Sequence, residues 1–199
     1  MSNEKVFVGF IGAGGIARAH AFALNSLRYY YNDSPEPELE AVSSATGKSR
    51  NAFAQQLGFR NPVSIEEFLS SKIIDTVYVL GPNKVHFEHL GKVLDMASVK
   101  RIYIEKPVCS TIDEEIQMAH DVKDHPEIKI QMGFQFLFMP SVREALILCK
   151  TVNLIKPLPF NLTDYHGYYL QKEDRNNRTT RLTKDTDQTA MDGLSCHAN

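Results

Sequence analysis

Short apolar runs alternate with segments of helical periodicity along the first two thirds of the chain. Apolar runs of about four to eight residues are typical of strands that are buried on both faces of a sheet. The predicted strands cover residues 6–11, 39–43, 73–80, 101–104 and 127–132, and the predicted helices cover residues 15–27, 47–57, 65–70, 83–96 and 111–123. Strands separated by helices predict an α/β fold with a doubly wound parallel sheet, covered by helices on both faces.

Residues that are typical of turns and of helix ends mark the boundaries of these predicted elements. Residues 29–37 contain Asn-Asp-Ser and two prolines, and they predict a long irregular connection before the second strand. Gly58 is placed to end the second helix as a C-cap. Ser64 with Glu67 predicts a capping box at the start of a short helix.

The pattern changes after the last predicted strand, which indicates a second domain. We expect a first domain over residues 1–124 and the beginning of a second over residues 125–199. In the second, Pro140 opens a predicted helix that ends near Lys150. Further along, residues 158–170 predict an extended strand and residues 172–188 a polar loop.

Composition and charge narrow the kinds of partner. With 199 residues, 43% of them hydrophobic, the chain can bury a sizeable core. A net charge of −2 offers no positive surface for nucleic acid or an anionic membrane, and no apolar run is long enough to span a bilayer. We therefore expect neither a nucleic acid nor a membrane as a partner. Residues 1–5 lead into a strand rather than a signal-peptide core, so the expected location is cytoplasmic. The three cysteines are widely spaced and the histidines lack ligand spacing, so neither a disulfide framework nor a metal site is predicted.

A glycine-rich turn, from Gly12 to Ala17, follows the first predicted strand directly and leads into a helix. Gly12 permits the tight turn, Gly14 has no Cβ to hold phosphates away, and Ala17 is small enough for the helix to pack on the strand. The N–H groups and the dipole at a helix N-terminus favour an anion. The pattern predicts binding of the pyrophosphate of a dinucleotide by Gly12, Gly14, Gly15, Ile16 and Ala17; the alternative is a tight turn that binds nothing.

Two further segments follow strands of the same predicted sheet. Lys106, in Glu105-Lys106-Pro107, would point into the crevice beyond the carboxyl ends of the strands. A lysine there can bind a hydroxyl or carbonyl oxygen, stabilise negative charge or relay a proton. The predicted cofactor contacts at these strand ends are Pro82, Asn83, His86, Glu105 and Lys106. The alternatives are a surface Glu–Lys pair at the strand end and, for His86 and His89, a position on a helix surface.

The end of the second strand bears on the choice of cofactor. NAD-preferring sites place a carboxylate there for the ribose hydroxyls. This chain has Ser44 instead, with Lys48 and Arg50 just beyond, so NADP is favoured over NAD and Ser44 and Lys48 are predicted cofactor contacts. The alternative is that Lys48 and Arg50 only form the solvated start of the next helix.

Taken together, these motifs resemble the glucose–fructose oxidoreductase / inositol dehydrogenase family, also called Gfo/Idh/MocA. The resemblance rests on the glycine-rich turn, Pro82-Asn83-x-x-His86, Glu105-Lys106-Pro107 and Thr111, which occur in that order. It implies an N-terminal Rossmann domain that binds NAD or NADP, followed by the beginning of an α+β substrate domain with a large open sheet. It also implies hydride transfer between the nicotinamide and a carbon-bound hydroxyl of a sugar, cyclitol or polyol, and a homo-oligomer in the full-length form.

The resemblance extends into the second domain. Gly133-Phe134-Gln135-Phe136 is similar to the start of the family's second domain, and residues 167–171 resemble a segment that lines the substrate pocket. The implied substrate contacts are Lys106, Gln135 and Tyr168, and the implied catalytic residues are Lys106, Asp192 and His197, with His197 as general acid/base.

Three departures accompany the resemblance. Leu137 stands where family members usually carry arginine. Asp192 and His197 are five residues apart, whereas the family's pair is four apart, and an ungapped alignment puts Gly193 at the aspartate position. Family chains continue well beyond residue 199, so this chain resembles a truncated member whose activity alone is expected to be low. A redox-neutral NAD-dependent glycosidase and a non-catalytic dinucleotide-binding regulator are the alternative functions.

Overall fold

The structure is a computed structural model that describes residues 4–152. Those residues contain a six-stranded sheet in the order β3-β2-β1-β4-β5-β6, with every neighbouring pair parallel. The strands are β1 (Lys5–Ile11), β2 (Glu36–Ser43), β3 (Asn61–Val63), β4 (Thr76–Val79), β5 (Arg101–Ile104) and β6 (Lys129–Met132). The helices are α1 (Gly15–Tyr30), α2 (Gly47–Leu57), α3 (Ile65–Leu69), α4 (His86–Leu94), α5 (Ile112–Lys123) and α6 (Pro140–Thr151), with 3₁₀ helices at Asn83–Val85 and Gln135–Phe138.

Helices cover both faces of the sheet, which confirms the predicted doubly wound fold. Successive side chains of a strand point to opposite faces, so β1 contributes to two cores. Phe10 packs with Ala17 of α1 and Phe53 of α2 on one face. On the other face Ile11 belongs to the core that contains residues of α3, α4 and α5, including Leu90.

Several element boundaries differ from those predicted. Helix α1 continues to Tyr30 and β2 begins at Glu36, so the irregular connection is shorter than the predicted 29–37. Strand β3 was not predicted, because three residues with a central proline give almost no alternation and lie at the sheet edge. The predicted helix 83–96 is split into a 3₁₀ turn and α4.

The predicted helix caps are confirmed. Gly58 ends α2 in the left-handed region with φ of 86°. The capping box of α3 has both of its bonds, since the Glu67 N–H donates to Ser64 Oγ and the Ser64 N–H donates to Glu67 Oε2. A second box, not predicted, joins Thr111 to Glu114 at the start of α5.

The chain divides into two compact units, one ending at Met132 and the other beginning at Gly133. The boundary therefore lies beyond the predicted position after residue 124, because β6 pairs with β5 and belongs to the first sheet. In the second unit, α6 begins at Pro140 as predicted. The predicted strand 158–170 and loop 172–188 lie outside the described residues. Among residues 4–152, no helix has both the length and the apolar character required to cross a membrane.

Candidate functional site

The carboxyl ends of four neighbouring strands lie at one level of the sheet. Ile11 at the end of β1 is paired with Ser43 of β2 on one side and with Val79 of β4 on the other. Val79 is in turn paired with Ile104 of β5. The strand order reverses between β1 and β4, and ligands of open α/β sheets bind in the crevice outside the strand ends at such a point.

After β1, β4 and β5, a backbone hydrogen bond ties the next residue of the chain to the neighbouring strand. The amides of Gly12, Leu80 and Glu105 donate to the last carbonyl of the adjoining strand, at 2.8, 2.8 and 3.0 Å respectively. Each turn therefore begins at a fixed place on the same edge. The glycine-rich turn and the Glu105-Lys106-Pro107 segment are brought to the same edge of the sheet.

The glycine-rich turn needs its first glycine for the fold and leaves open space at its second. Gly12 has φ of +125°, and a Cβ there would lie 2.6 Å from the carbonyl carbon of Leu80. At Gly14 and Gly15 a Cβ would meet nothing within 4 Å. Ala17 is fully buried against the sheet, as predicted, and Ile16 in the first turn of α1 is 40% exposed.

This turn also leaves the start of α1 available to an anion. Gly14 is the N-cap residue and supplies no side-chain bond to the first N–H groups of the helix. Such groups are unsatisfied within a helix and bind phosphates well when the approach is open. The open space at Gly14 and Gly15 therefore fits a pyrophosphate group.

At the end of β2 the structure distinguishes the two predicted cations. The Arg50 guanidinium lies against the strand end, with Nη1 3.4 Å from the carbonyl oxygen of Ser44. Its Nε is buried and has no partner among the described residues. Lys48 is exposed, and Ser44 Oγ donates to the carbonyl of Thr46 at 3.2 Å. Arg50 is thus the cation held beside Ser44.

His86 is buried at the start of α4 and does not lie on a helix surface. The residue is 1% exposed, Nδ1 lies 2.8 Å from the carbonyl oxygen of Pro107, and Nε2 lies 2.8 Å from that of Gly81. The ring therefore lies between the turn after β4 and the segment that follows β5, and the predicted cofactor contact of His86 stays a prediction. Burial lowers the pKa of His86, against the opposing effect of the two carbonyls and Glu105. Asn83 is buried beside this turn and Pro82 is exposed.

Glu105 is buried beneath the strand edge and holds three contacts. Its Oε1 lies 2.9 Å from Nε2 of His20 and accepts from the Tyr103 hydroxyl at 3.2 Å. Its Oε2 accepts from the backbone N–H of Lys106 at 3.2 Å. Burial raises the pKa of Glu105, but the contacts with His20, Tyr103 and the Lys106 amide outweigh it, so the pKa is lowered. Glu105 is therefore a buried carboxylate with three partners inside the protein, and its predicted contact with a cofactor stays a prediction.

An aromatic cluster surrounds this carboxylate. The rings of Tyr78 and Tyr103 stack with centroids 5.1 Å apart, and the His20 ring meets Tyr103 edge-on at 4.7 Å. Burial raises the pKa of both tyrosines, and the neighbouring Glu105 adds to the effect at Tyr103. The Tyr103 hydroxyl therefore stays protonated and serves as a donor.

His20 is absent from the predicted site residues, although the sequence contains a signal for it. It lies three residues after Ala17 and one before Ala21, both fully buried, so it falls on the stripe of α1 that faces the sheet. A titratable ring on a buried stripe needs a polar partner. Glu105 supplies that partner.

The remaining predicted residues follow the first unit along the chain. Gln135 begins the 3₁₀ helix of the second unit and is exposed, as is Leu137. Tyr168, Asp192 and His197 lie outside the described residues. No group of three or more His, Cys, Asp or Glu side chains among residues 4–152 is arranged to hold a metal ion.

Comparison with known proteins identifies a matching family model and similar sequences. Residues 6–134 match a family model described as an oxidoreductase family with an NAD-binding Rossmann fold. The chain is 27% identical over 154 residues to glucose-6-phosphate 3-dehydrogenase of Bacillus subtilis, a match that covers 77% of this chain and 38% of the relative. It is also 27% identical over 144 residues to levoglucosan dehydrogenase of Pseudarthrobacter phenanthrenivorans, covering 71% and 36%.

Solved structures show the same fold. Levoglucosan dehydrogenase in complex with NADH and L-sorbose superposes with a TM-score of 0.69 at 24% identity, covering 74% of this chain and 39% of that one. Scyllo-inositol dehydrogenase from Lactobacillus casei, with NAD(H) and scyllo-inositol bound, gives 0.65 at 21%, covering 75% and 42%. The chain spans less than half the length of these relatives.

Proposed function

The chain belongs to the Gfo/Idh/MocA family of oxidoreductases, and from that membership and the geometry of the strand edge we propose that it forms the cofactor-binding part of an NAD(P)-dependent dehydrogenase or reductase. The proposed reaction moves a hydride between the nicotinamide and a carbon-bound hydroxyl, or the corresponding carbonyl, of a sugar, cyclitol or related polyol. Relatives named for glucose 6-phosphate, levoglucosan and scyllo-inositol support this substrate class.

One observation carries the proposal. The open glycine-rich turn after β1 and the segment of Lys106 after β5 begin at the same edge of one sheet, on either side of the turn that follows β4. A phosphate-binding turn and a cationic side chain at a topological switch point are the arrangement that dinucleotide-dependent enzymes use.

Each residue of the proposed site has its own role in binding or in the reaction. The N–H groups at the start of α1, beside Gly14 and Gly15, hold the pyrophosphate, while Ser44 and Arg50 lie where the adenosine ribose is expected. When bound, the nicotinamide supplies or accepts the hydride. Lys106 binds the reacting oxygen of the substrate and stabilises the negative charge that develops there. His197, with Asp192, is proposed to move the proton of that oxygen.

Binding of the dinucleotide is tested with Gly14→Val. Its side chain would fill the space that the pyrophosphate needs, and it would meet no protein atom at the Cβ position. Wild-type protein with NADP or NAD at about 100 times Kd should gain about 2.7 kcal/mol of stability, a rise in Tm of about 5–10 °C. The variant should lose that rise while keeping its own Tm without ligand.

Gly91→Val is the matched control. Gly91 lies in α4, where a Cβ also meets nothing within 4 Å, but it is far along the chain from the glycine-rich turn. We expect this variant to keep the ligand-induced rise. An undiminished rise in Gly14→Val, or no rise in the wild type, would contradict dinucleotide binding at the turn.

Oxidoreductase activity is tested by absorbance at 340 nm, the band of reduced nicotinamide, with NADP or NAD and a panel of sugars and polyols. Lys106→Met should abolish any turnover, because the methionine keeps most of the length of the side chain and removes its charge. Turnover by Lys106→Met at the wild-type rate would exclude the role given to Lys106. Hydrolysis of a glycoside without a net absorbance change would support the glycosidase instead.

A further inference from the structure

We propose that His20 and His86 are positioning residues that fix Lys106 by holding its two neighbours in the chain. His20 holds the side chain of Glu105, and His86 holds the backbone of Pro107. The proposal rests on the function proposed above, since it concerns the placement of Lys106 against the substrate oxygen.

The contact of His20 joins α1 to Glu105-Lys106-Pro107, which we call the lysine segment. Tyr103 and Glu105 are two residues apart, so both point to the face of the sheet that α1 covers. There the Glu105 carboxylate meets His20 Nε2 at 2.9 Å, and the side chains of the two residues are only 8% and 20% exposed. The other carboxylate oxygen accepts from the Lys106 amide at 3.2 Å. A chain of two contacts therefore runs from α1 to the backbone of Lys106.

The His86 side joins the turn after β4 to the same segment. Its ring lies between the carbonyl oxygens of Pro107 and Gly81, at 2.8 Å from each. A carbonyl oxygen only accepts, so each contact requires an N–H on the ring. A neutral imidazole has one N–H, and burial lowers the pKa of His86, which favours the neutral ring. The two distances are equal, so the hydrogen fits at either nitrogen; the role proposed for His86 requires it on Nδ1, where the ring donates to Pro107 and holds the lysine segment.

The two histidines therefore act on the residues before and after Lys106 from different directions. The lysine side chain has four rotatable bonds and is productive only if its backbone is fixed. Buried hydrogen bonds fix it, because a buried polar group that loses its partner is costly. His20 lies on α1, which begins at the glycine-rich turn, and His86 is the first residue of α4, shortly after the turn at Gly81.

The test uses paired substitutions that keep or remove one nitrogen at a time. His20→Gln places an amide near the position of Nε2 and should keep the contact with Glu105, whereas His20→Leu removes it. His86→Asn places an amide near Nδ1 and should keep the contact with Pro107, whereas His86→Gln reaches only toward Gly81. His120→Asn, at an exposed position on α5, is the control.

Hydrogen exchange by mass spectrometry reports on residues 104–110 in each variant. We expect exchange there to be about tenfold faster in His20→Leu and His86→Gln, the factor for loss of one buried hydrogen bond, and near the wild-type rate in His20→Gln, His86→Asn and His120→Asn. Affinity for NADP and NAD should stay within about threefold in all five variants.

Other outcomes overturn the proposal. Wild-type exchange in His20→Leu and His86→Gln would show that the histidines do not hold the segment. Acceleration spread evenly over β1, β2 and residues 104–110 would show a general structural role. A wild-type exchange rate of residues 104–110 in His86→Gln but not in His86→Asn would show that His86 acts through its contact with Gly81 instead.

The wild-type protein gives a measurement that does not depend on any variant folding. In ¹⁵N spectra of the His86 ring at neutral pH, Nδ1 should carry the hydrogen, and a hydrogen on Nε2 alone would overturn the Pro107 contact. Absence of NAD(P) binding by the wild type, together with the expected exchange pattern, would contradict the proposed function and leave the placement of Lys106 established.

Discussion

Arg50 offers the sharpest test of cofactor choice, because the structure holds it beside Ser44 whereas Lys48 is exposed. If its guanidinium binds the 2′-phosphate of NADP, Arg50→Gln removes a hydrogen bond to a charged group. Such bonds contribute about 1.5–3 kcal/mol, so affinity for NADP should fall about 10- to 150-fold. Affinity for NAD should hardly change, since NAD has no phosphate at that position.

Isothermal titration with each cofactor at two salt concentrations measures this effect. For the wild type we expect NADP to bind more tightly than NAD at low salt, and added salt to narrow the difference by screening the phosphate contact. Lys48→Gln is the matched control, because it removes a charge at an exposed position two residues away and should change NADP affinity much less. Ser44→Asp should reverse the preference, since its carboxylate repels the 2′-phosphate and can accept from ribose hydroxyls.

Two results would refute this reasoning. Equal affinity of the wild type for both cofactors at low salt would show that the end of β2 does not select NADP. Equal losses in Arg50→Gln and Lys48→Gln would show a general effect of positive charge rather than a contact with Arg50.

Three further predictions concern stability. Gly12→Ala should lower the free energy of unfolding by about 2–4 kcal/mol in a urea titration, because Gly12 has a positive φ and the backbone of Leu80 and Gly81 leaves no room for a Cβ; an unchanged midpoint would contradict this. Thr111→Ala should cost about 1 kcal/mol by breaking the capping box of α5, with no change in m-value. The free energy of unfolding should fall as pH drops through about 6.5, because burial lowers the pKa of His86 and the unfolded chain takes up the proton more readily; His86→Asn should flatten that slope.

The strands and caps of the first unit could be predicted because their signals are local. A run such as residues 6–11 is apolar enough to be buried on both faces, and Gly58, Ser64 and Glu67 act within a few residues of their own positions. Strand β3 could not be predicted in this way. Its three residues are extended because they pair with the edge of β2, and nothing within the segment itself indicates that pairing.

The same distinction between local signals and distant partners applies to the candidate site. The glycine-rich turn and Lys106 could be predicted because each follows directly from a strand end. The roles of His20 and His86 could not, because each depends on a residue far away in sequence, Glu105 in one case and Pro107 in the other. For His86 the predicted cofactor contact stays a prediction, whereas its contacts with Pro107 and Gly81 come from the fold.

The register of the sheet explains how such distant residues meet. Val79 of β4 is paired with Ile104 of β5, which brings Glu105 to the level of the turn after β4 and points its side chain to the face of α1. A slip of one residue between these strands would turn Glu105 to the opposite face, away from His20. It would also carry the carbonyl oxygen of Pro107 away from Nδ1 of His86. The position of Lys106 therefore depends on strand pairing as much as on its own motif, and the buried core side chains that set this register also set the geometry of the proposed reaction.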